Sequence, residues 1–119
     1  MFQERKGLGV LEKPYRDEFL EQAVGDFLEI QRFLDLLEPK RGSAFYQQME
    51  NTIAMLRDFP ESGRVVHDSG VRQFALKRFP YYLIYAFKNN IVLIMAVGHQ
   101  HQNPDFWFSR LKYLDEGLS

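Results

Sequence analysis

Cysteine is absent from the 119 residues of this chain. Without thiols the protein has no disulfide, no cysteine nucleophile and no thiolate metal site. The absence is compatible with a reducing cytoplasm.

Long apolar runs are missing as well. No stretch approaches the roughly 20 apolar residues that a membrane span requires, and the first ten residues, MFQERKGLGV, are charged where a signal peptide would be apolar. We therefore expect a soluble, cytoplasmic protein. The length and the 45% hydrophobic content fit a single domain, residues 14–119, and residues 1–13 show so little pattern that we interpret them as an N-terminal arm.

The net charge of −1 conceals an uneven distribution. Residues 1–63 carry eight Lys or Arg against twelve Asp or Glu, whereas residues 64–112 carry seven against two. The second half is basic and could attract an acidic protein segment or a phosphate backbone. Solvated charges along strand edges would produce the same excess.

Three successive strands are predicted in the second half of the chain. Val71–Lys77 alternates in polarity, Tyr81–Phe87 is aromatic and β-branched, and Ile91–Val97 is continuously apolar. Asn89 and Asn90 tolerate the positive φ of a tight hairpin turn. We expect an antiparallel meander, and because its last strand is apolar on both sides, the sheet should be covered on both faces.

Two helices are predicted before the sheet, over residues 22–37 and 44–59, each ending at a proline, with Ser43 as the N-cap of the second. Their apolar stripes are Ala23, Phe27, Ile30, Leu34 and Leu37 in the first helix, and Phe45, Met49, Thr52, Ile53, Leu56 and Phe59 in the second.

The two ends of the domain complete the predicted fold. The acidic stretch Tyr15–Leu20 suits an edge strand, and Asn103-Pro104 should begin a last short helix whose apolar side covers the second face of the sheet. The fold class is α+β: an N-terminal edge strand and a helical hairpin packed on a twisted antiparallel sheet of three to four strands, with a short C-terminal helix on the other face.

Four short motifs follow the predicted helical hairpin in a definite order. They are FPESGR (59–64), GVR (70–72), RFPYYLIY (78–85) and AVGHQHQNPDFW (96–107). In this order and at these intervals, the chain resembles the RelE/ParE superfamily of bacterial toxins from about Tyr15 to Leu114, in particular the ParE-like plasmid-stabilisation branch.

The resemblance implies the toxin of a type II toxin-antitoxin pair that uses no cofactor and is held inactive by a cognate antitoxin. ParE-like members inhibit DNA gyrase without being enzymes, whereas RelE-like members are ribosome-dependent mRNA endonucleases. The superfamily thus leaves open whether the partner is a protein such as gyrase, or the ribosome and its mRNA. An inactive relative that serves only as a binding module is the third possibility.

RNA cleavage without a metal needs two proton-transfer groups and at least one well-placed cation. Arg72 falls where the nuclease branch carries a phosphate-binding arginine. Where that branch has its second arginine, this chain has the run from His99 to Gln102, and where the nucleases often place a tyrosine it has Phe106 and Trp107. We therefore favour the inhibitor, with a nuclease built on Arg72, Arg78 and His99 as the alternative.

The candidate target-binding residues are Arg72, Arg78, His99, His101 and Trp107. Packing offers another explanation for several of them, since His99 could cap its strand and Trp107 could be a core anchor. The two arginines could either reach the rim of the sheet or point into a shallow cleft. A metal at the two histidines would need a third ligand, so we expect none.

Overall fold

The computed structural model describes residues 14–118. The predicted N-terminal arm, residues 1–13, lies outside the described residues. Within the described part, three α-helices pack with an open sheet of five strands, which confirms the α+β prediction. No helix of this part is both long and apolar enough to span a bilayer.

The sheet has the strand order β1-β5-β4-β3-β2. Its strands are β1 (Arg16–Phe19), β2 (Arg64–Val65), β3 (Arg72–Ala75), β4 (Tyr81–Lys88) and β5 (Ile91–His99). The prediction of three to four antiparallel strands missed the two-residue β2, and β1 runs parallel to β5. A helical hairpin separates β1 from the meander, so β1 is free of the antiparallel constraint that a tight turn imposes.

The helices are α1 (Glu21–Leu37), α2 (Arg41–Asp58) and α3 (Leu114–Leu118), with 3₁₀ turns at Pro60–Ser62 and Phe108–Tyr113. Ser43 is not the N-cap of α2, because that helix already begins at Arg41. The side chain of Asp35 on α1 reaches across the hairpin instead, and its Oδ1 accepts a hydrogen bond from the Gly42 N–H at 2.8 Å.

Both faces of the sheet are buried, as the apolar pattern of the last strand predicts. The helical hairpin covers one face through Phe45, Leu34 and Ile53. The C-terminal segment covers the other face through Trp107 and Leu118. The end residues of the two predicted helical stripes, Leu37 and Phe59, are 62% and 65% exposed and lie outside the core.

A β-bulge interrupts the pairing of the two central strands. Ile84 pairs with Ala96 while Tyr85 pairs with Ile94, which leaves Met95 as the extra residue of β5. Met95 and Ala96 both join the core of the second face. The bulge therefore resets the alternation of β5 just before its polar end.

The turn between β4 and β5 has the predicted conformation, with Asn89 at φ 54° and Asn90 at φ 63°. The predicted helix start at Asn103 is wrong. Residues 104–107 form turns, and the regular α-helix begins at Leu114. The Trp107 side chain sinks into the second core at 1% exposure, so the segment follows the sheet in tight turns rather than as a straight helix.

Candidate functional site

The predicted site residues do not form one cluster. Arg72 pairs with Tyr85 on one side of β4, and His99 pairs with Tyr81 on the other side. Their partners are four residues apart along β4, and β3 and β5 are separated by two strand spacings. The Cα atoms of Arg72 and His99 are therefore on the order of 16 Å apart. Arg72 and His99 therefore belong to two separate surfaces.

The Arg72 guanidinium is fixed by backbone carbonyls. Its Nη1 donates to Gly63 O at 2.8 Å and to Glu61 O at 3.1 Å. Its Cζ lies 5.5 Å from the centroid of the Phe87 ring. Phe87 follows Tyr85 along β4, on the side away from Tyr81. The side chain thus extends away from the histidine end, beside an open cleft of about 560 Å³.

Tyr85 anchors the same 60–63 segment. Its hydroxyl donates to Pro60 O at 2.7 Å and accepts from the Gly63 N–H at 2.8 Å. Burial raises the pKa of Tyr85, and the opposing effects of the Gly63 hydrogen bond and the Arg72 charge are smaller. The phenol is a buried, protonated support for Arg72 and not a surface acid.

Arg78 and the two candidate histidines lie at one end of the sheet, beside the start of β4. The Gln100 N–H donates to Pro80 O at 3.0 Å, which brings the β3–β4 turn beside the end of β5. The His99 ring lies 5.0 Å from the Tyr81 ring and 5.2 Å from the His101 ring, measured between centroids.

The His99 imidazole is held by its own loop. The His101 N–H donates to His99 Nδ1 at 3.0 Å, and the His99 N–H donates to Gln102 Oε1 at 3.2 Å. Because Nδ1 accepts a hydrogen bond, the neutral ring carries its proton on Nε2. His99 therefore caps the strand, as one of the two readings of the sequence expects, while its ring packs edge-on against Tyr81.

Sequence reasoning missed two cations at this end. Lys40 and Arg41 lie between the two predicted helices, and with Glu38, Arg78 and Phe79 they border a shallow depression of about 320 Å³. Arg41 Cζ lies 6.0 Å from the centroid of the Phe79 ring. The signal for this juxtaposition was the Lys-Arg dipeptide in each of the two turns, Lys40-Arg41 and Lys77-Arg78.

We call this surface the basic end and define it by Lys40, Arg41, Lys77, Arg78, His99 and His101. Within residues 14–118 its side chains make a single ion pair, from Arg41 Nη1 to Glu38 Oε1 at 2.9 Å. The basic end can therefore attract a negatively charged partner.

Trp107 offers no surface to a partner in this structure, because its side chain is 1% exposed. It packs with His67 and Phe108, whose ring centroids lie 6.1 and 4.8 Å from the indole. The alternative reading of Trp107 as a core anchor describes its position.

Within residues 14–118, the two candidate histidines are not part of a metal site. In the part of the chain that the structure describes, no three His, Asp or Glu side chains come together as a metal site would require. His99 and His101 thus face each other without the third ligand that tetrahedral coordination would need.

An apolar groove of about 460 Å³ runs between α1, α2 and β1. Its walls include Phe19, Val24, Phe27, Tyr46, Met49 and Ile53. Arg57 and Asp17 close one end through an ion pair of 3.0 Å. The groove is separate from the basic end and presents a different chemistry.

The sequence model of one family, described as the ParE toxin of the type II toxin-antitoxin system parDE, matches residues 18–104. A search of curated proteins gave no match.

Solved structures of related fold include the chromosomal ParDE toxin-antitoxin system of P. aeruginosa, with a TM-score of 0.65 and 19% identity over 71% of this chain and 95% of the other. The toxin-antitoxin complex RelBE2 of Mycobacterium tuberculosis has a TM-score of 0.51 and 23% identity, with coverages of 73% and 99%. The isolated E. coli RelE toxin has a TM-score of 0.55 and 17% identity, with coverages of 84% and 98%. At these identities the structures show a shared fold.

Proposed function

The chain belongs to the ParE toxin family of type II toxin-antitoxin systems, and from this membership we propose that it acts by binding and inhibiting a protein target such as DNA gyrase. The inhibition needs no bond to be made or broken. The protein works without a cofactor, in the cytoplasm, where such a target is found.

The separation of Arg72 from His99 is the observation that supports this proposal. A nuclease must bring a base, an acid and a cation around one phosphate, each within about 3 Å of the atom it serves. Arg72 pairs with Tyr85, four residues along β4 from the partner of His99, and its guanidinium is bound to the carbonyls of Glu61 and Gly63. The set of Arg72, Arg78 and His99 therefore does not surround one point.

A ribosome-dependent mRNA endoribonuclease is the alternative function. It is favoured by the position of Arg78 near His99, since the Pro80 carbonyl and the Gln100 N–H join the two turns. In that case the basic end would bind the mRNA phosphate, and His99 would transfer a proton. An inactive relative that only binds partners is the third reading.

A cognate antitoxin is the second proposed partner. Two of the similar structures are a ParDE toxin-antitoxin system and a RelBE2 toxin-antitoxin complex. The apolar groove between α1, α2 and β1 is suited to the apolar stripe of an antitoxin helix, because its walls are aliphatic and aromatic while its rim is charged. Binding there leaves the basic end accessible.

Two assays in parallel test the proposal. Supercoiling by purified DNA gyrase is measured with increasing amounts of the protein, and cleavage of mRNA on purified ribosomes is measured with the same preparation. We expect supercoiling to fall and the mRNA to stay intact. Unchanged supercoiling together with cleaved mRNA would establish the alternative, and unaffected growth after expression without antitoxin would indicate the inactive relative.

A further inference from the structure

Lys40 occupies a position that the local structure does not favour for a lysine. Its φ is 70°, in the left-handed region, and it is the N-cap of α2 without any side-chain hydrogen bond to the helix. Glycine and asparagine are the residues that suit this φ. A cation at a helix N-terminus also opposes the helix dipole. Lys40 thus costs stability where asparagine would contribute it.

Two further cations share this part of the surface, of which Arg41 is paired with Glu38. Arg41 begins α2, whose first turn contains no acidic residue. Arg78 lies opposite in the β3–β4 turn, where its backbone N–H donates to Gln48 Oε1 at 3.2 Å and so ties the turn to α2. Lys40 and Arg78 are exposed and make no ion pair with any residue from 14 to 118. Lys40 thus breaks a local rule without a local gain, and such violations are typical of functional or strained sites.

Apolar side chains stand next to these cations. Leu36 is 82% exposed and Leu37 is 62% exposed, in the last turn of α1 directly before the Lys40 turn. A phosphate backbone gains nothing from exposed leucines, since its binding is electrostatic. Protein interfaces combine buried apolar anchors and arginine with a polar rim that stays accessible to solvent. The leucines therefore favour a protein partner, and the charge favours an acidic one.

We propose that the hairpin tip, defined as Leu36, Leu37, Lys40, Arg41 and Arg78, is the surface that docks on an acidic patch with apolar side chains on the inhibited protein. The inference rests on the proposed function, namely inhibition by binding, and adds the chemistry of the contact. It also assigns the destabilising Lys40 to target binding instead of folding.

The first test uses purified DNA gyrase and the full-length chain. The double variant Lys40→Asn/Arg78→Gln should raise the concentration for half-inhibition of supercoiling by about tenfold or more, because it removes two charges from the contact. Leu36→Gln should weaken inhibition by a similar factor of about ten if the leucine is buried in the complex. The matched control Arg64→Gln/Lys112→Asn removes two exposed charges elsewhere and should stay within about threefold of the wild type.

Thermal unfolding separates a loss of target binding from a loss of folding, because we expect stability to rise while inhibition falls. Lys40→Asn should raise the melting temperature by about 3 °C, because asparagine suits the positive φ and the substitution removes a cation from the helix N-terminus. A variant that becomes more stable while it inhibits less cannot owe its lost activity to unfolding. If Lys40→Asn lowers the melting temperature and leaves inhibition unchanged, Lys40 is structural and the proposal fails.

The remaining outcomes separate this inference from the proposed function. If the tip variants inhibit gyrase as strongly as the wild type does, the inference about the hairpin tip is wrong and the proposed function stands. If the wild type does not inhibit gyrase, growth arrest after expression without antitoxin becomes the readout. If the tip variants no longer arrest growth but still bind the antitoxin, the hairpin tip is supported as the target-binding surface. If they arrest growth as strongly as the wild type does, the inference is wrong. Binding of a short DNA duplex that depends on the tip would replace the acidic protein with a nucleic acid and overturn the inference as well.

Discussion

Arg110 and Asp26 form a two-point ion pair between the C-terminal segment and α1, with Nη1–Oδ2 at 2.7 Å and Nη2–Oδ1 at 3.1 Å. The same groups complete the sheet edge. Arg110 Nη1 also donates to Met95 O at 3.0 Å, and Asp26 Oδ2 accepts from the Val97 N–H at 3.0 Å. The pair thus takes over the hydrogen bonding of β5 where β1 ends, since β1 pairs with β5 only as far as Ile94.

Removal of either partner should destabilise the protein strongly. Arg110→Ala leaves the largely buried Asp26 carboxylate without its counter-charge and the Met95 carbonyl without this donor, so we expect a loss of about 2–4 kcal/mol in the free energy of unfolding. Urea unfolding followed by circular dichroism measures it. The double variant Asp26→Ala/Arg110→Ala should cost less than the sum of the single variants, and additive losses would show that the two side chains act independently.

Tyr85→Phe tests the support beneath Arg72. The hydroxyl is both donor and acceptor in the 60–63 segment, so its loss leaves the Gly63 N–H and the Pro60 carbonyl without that partner. We expect a decrease of about 1–3 kcal/mol in unfolding free energy. Tyr15→Phe serves as a control on a half-buried tyrosine near the opposite sheet edge. An equal effect of both substitutions would remove the special role of the Tyr85 hydroxyl.

Alkaline pH should destabilise the fold through its buried tyrosines. Burial raises the pKa of Tyr81, Tyr82 and Tyr85 from the ordinary value of 10.0. Above that value the unfolded chain releases these protons before the folded chain does, so the folded state binds more protons and stability falls as pH rises. The stability is fully present below pH 10.

Unfolding free energies measured in urea between pH 8 and pH 11 check this dependence. The decline above about pH 10 should be shallower in Tyr85→Phe, because one of the three groups no longer titrates. A curve that is flat through this range, or equally steep in the variant, would contradict the prediction.

His99 separates binding from catalysis. His99→Asn keeps an acceptor close to the position of Nδ1 for the His101 N–H but can no longer exchange a proton near neutral pH. If the protein binds its target through the hairpin tip, which does not include His99, both His99→Asn and His99→Ala should leave gyrase inhibition within about threefold of the wild type.

A nuclease should instead lose about 10²- to 10⁴-fold in the rate of mRNA cleavage with either substitution. Far-ultraviolet circular dichroism confirms that the fold is retained. A loss of that size in a folded His99→Asn protein would overturn the proposal that the toxin is not an enzyme.

The sequence by itself determined those features that depend on neighbouring residues. Asn89 and Asn90 specify the tight turn because few other residues tolerate positive φ, and Pro39 and Pro60 end the two helices because proline cannot continue them. The apolar residues on both sides of β5 required a cover on each face of the sheet. The order of the short motifs also carried the family assignment.

The tertiary structure decided what depends on residues far apart in the chain. Asp35, not Ser43, caps the start of α2 across the hairpin, and the bulge at Met95 resets the face of each later residue in β5. Strand register, fixed only by packing of the whole sheet, places His99 at the start of β4 and Arg72 four residues further along it. The same packing brings Lys40 and Arg41 beside Arg78, because two turns distant in sequence meet only when the helical hairpin lies on the sheet.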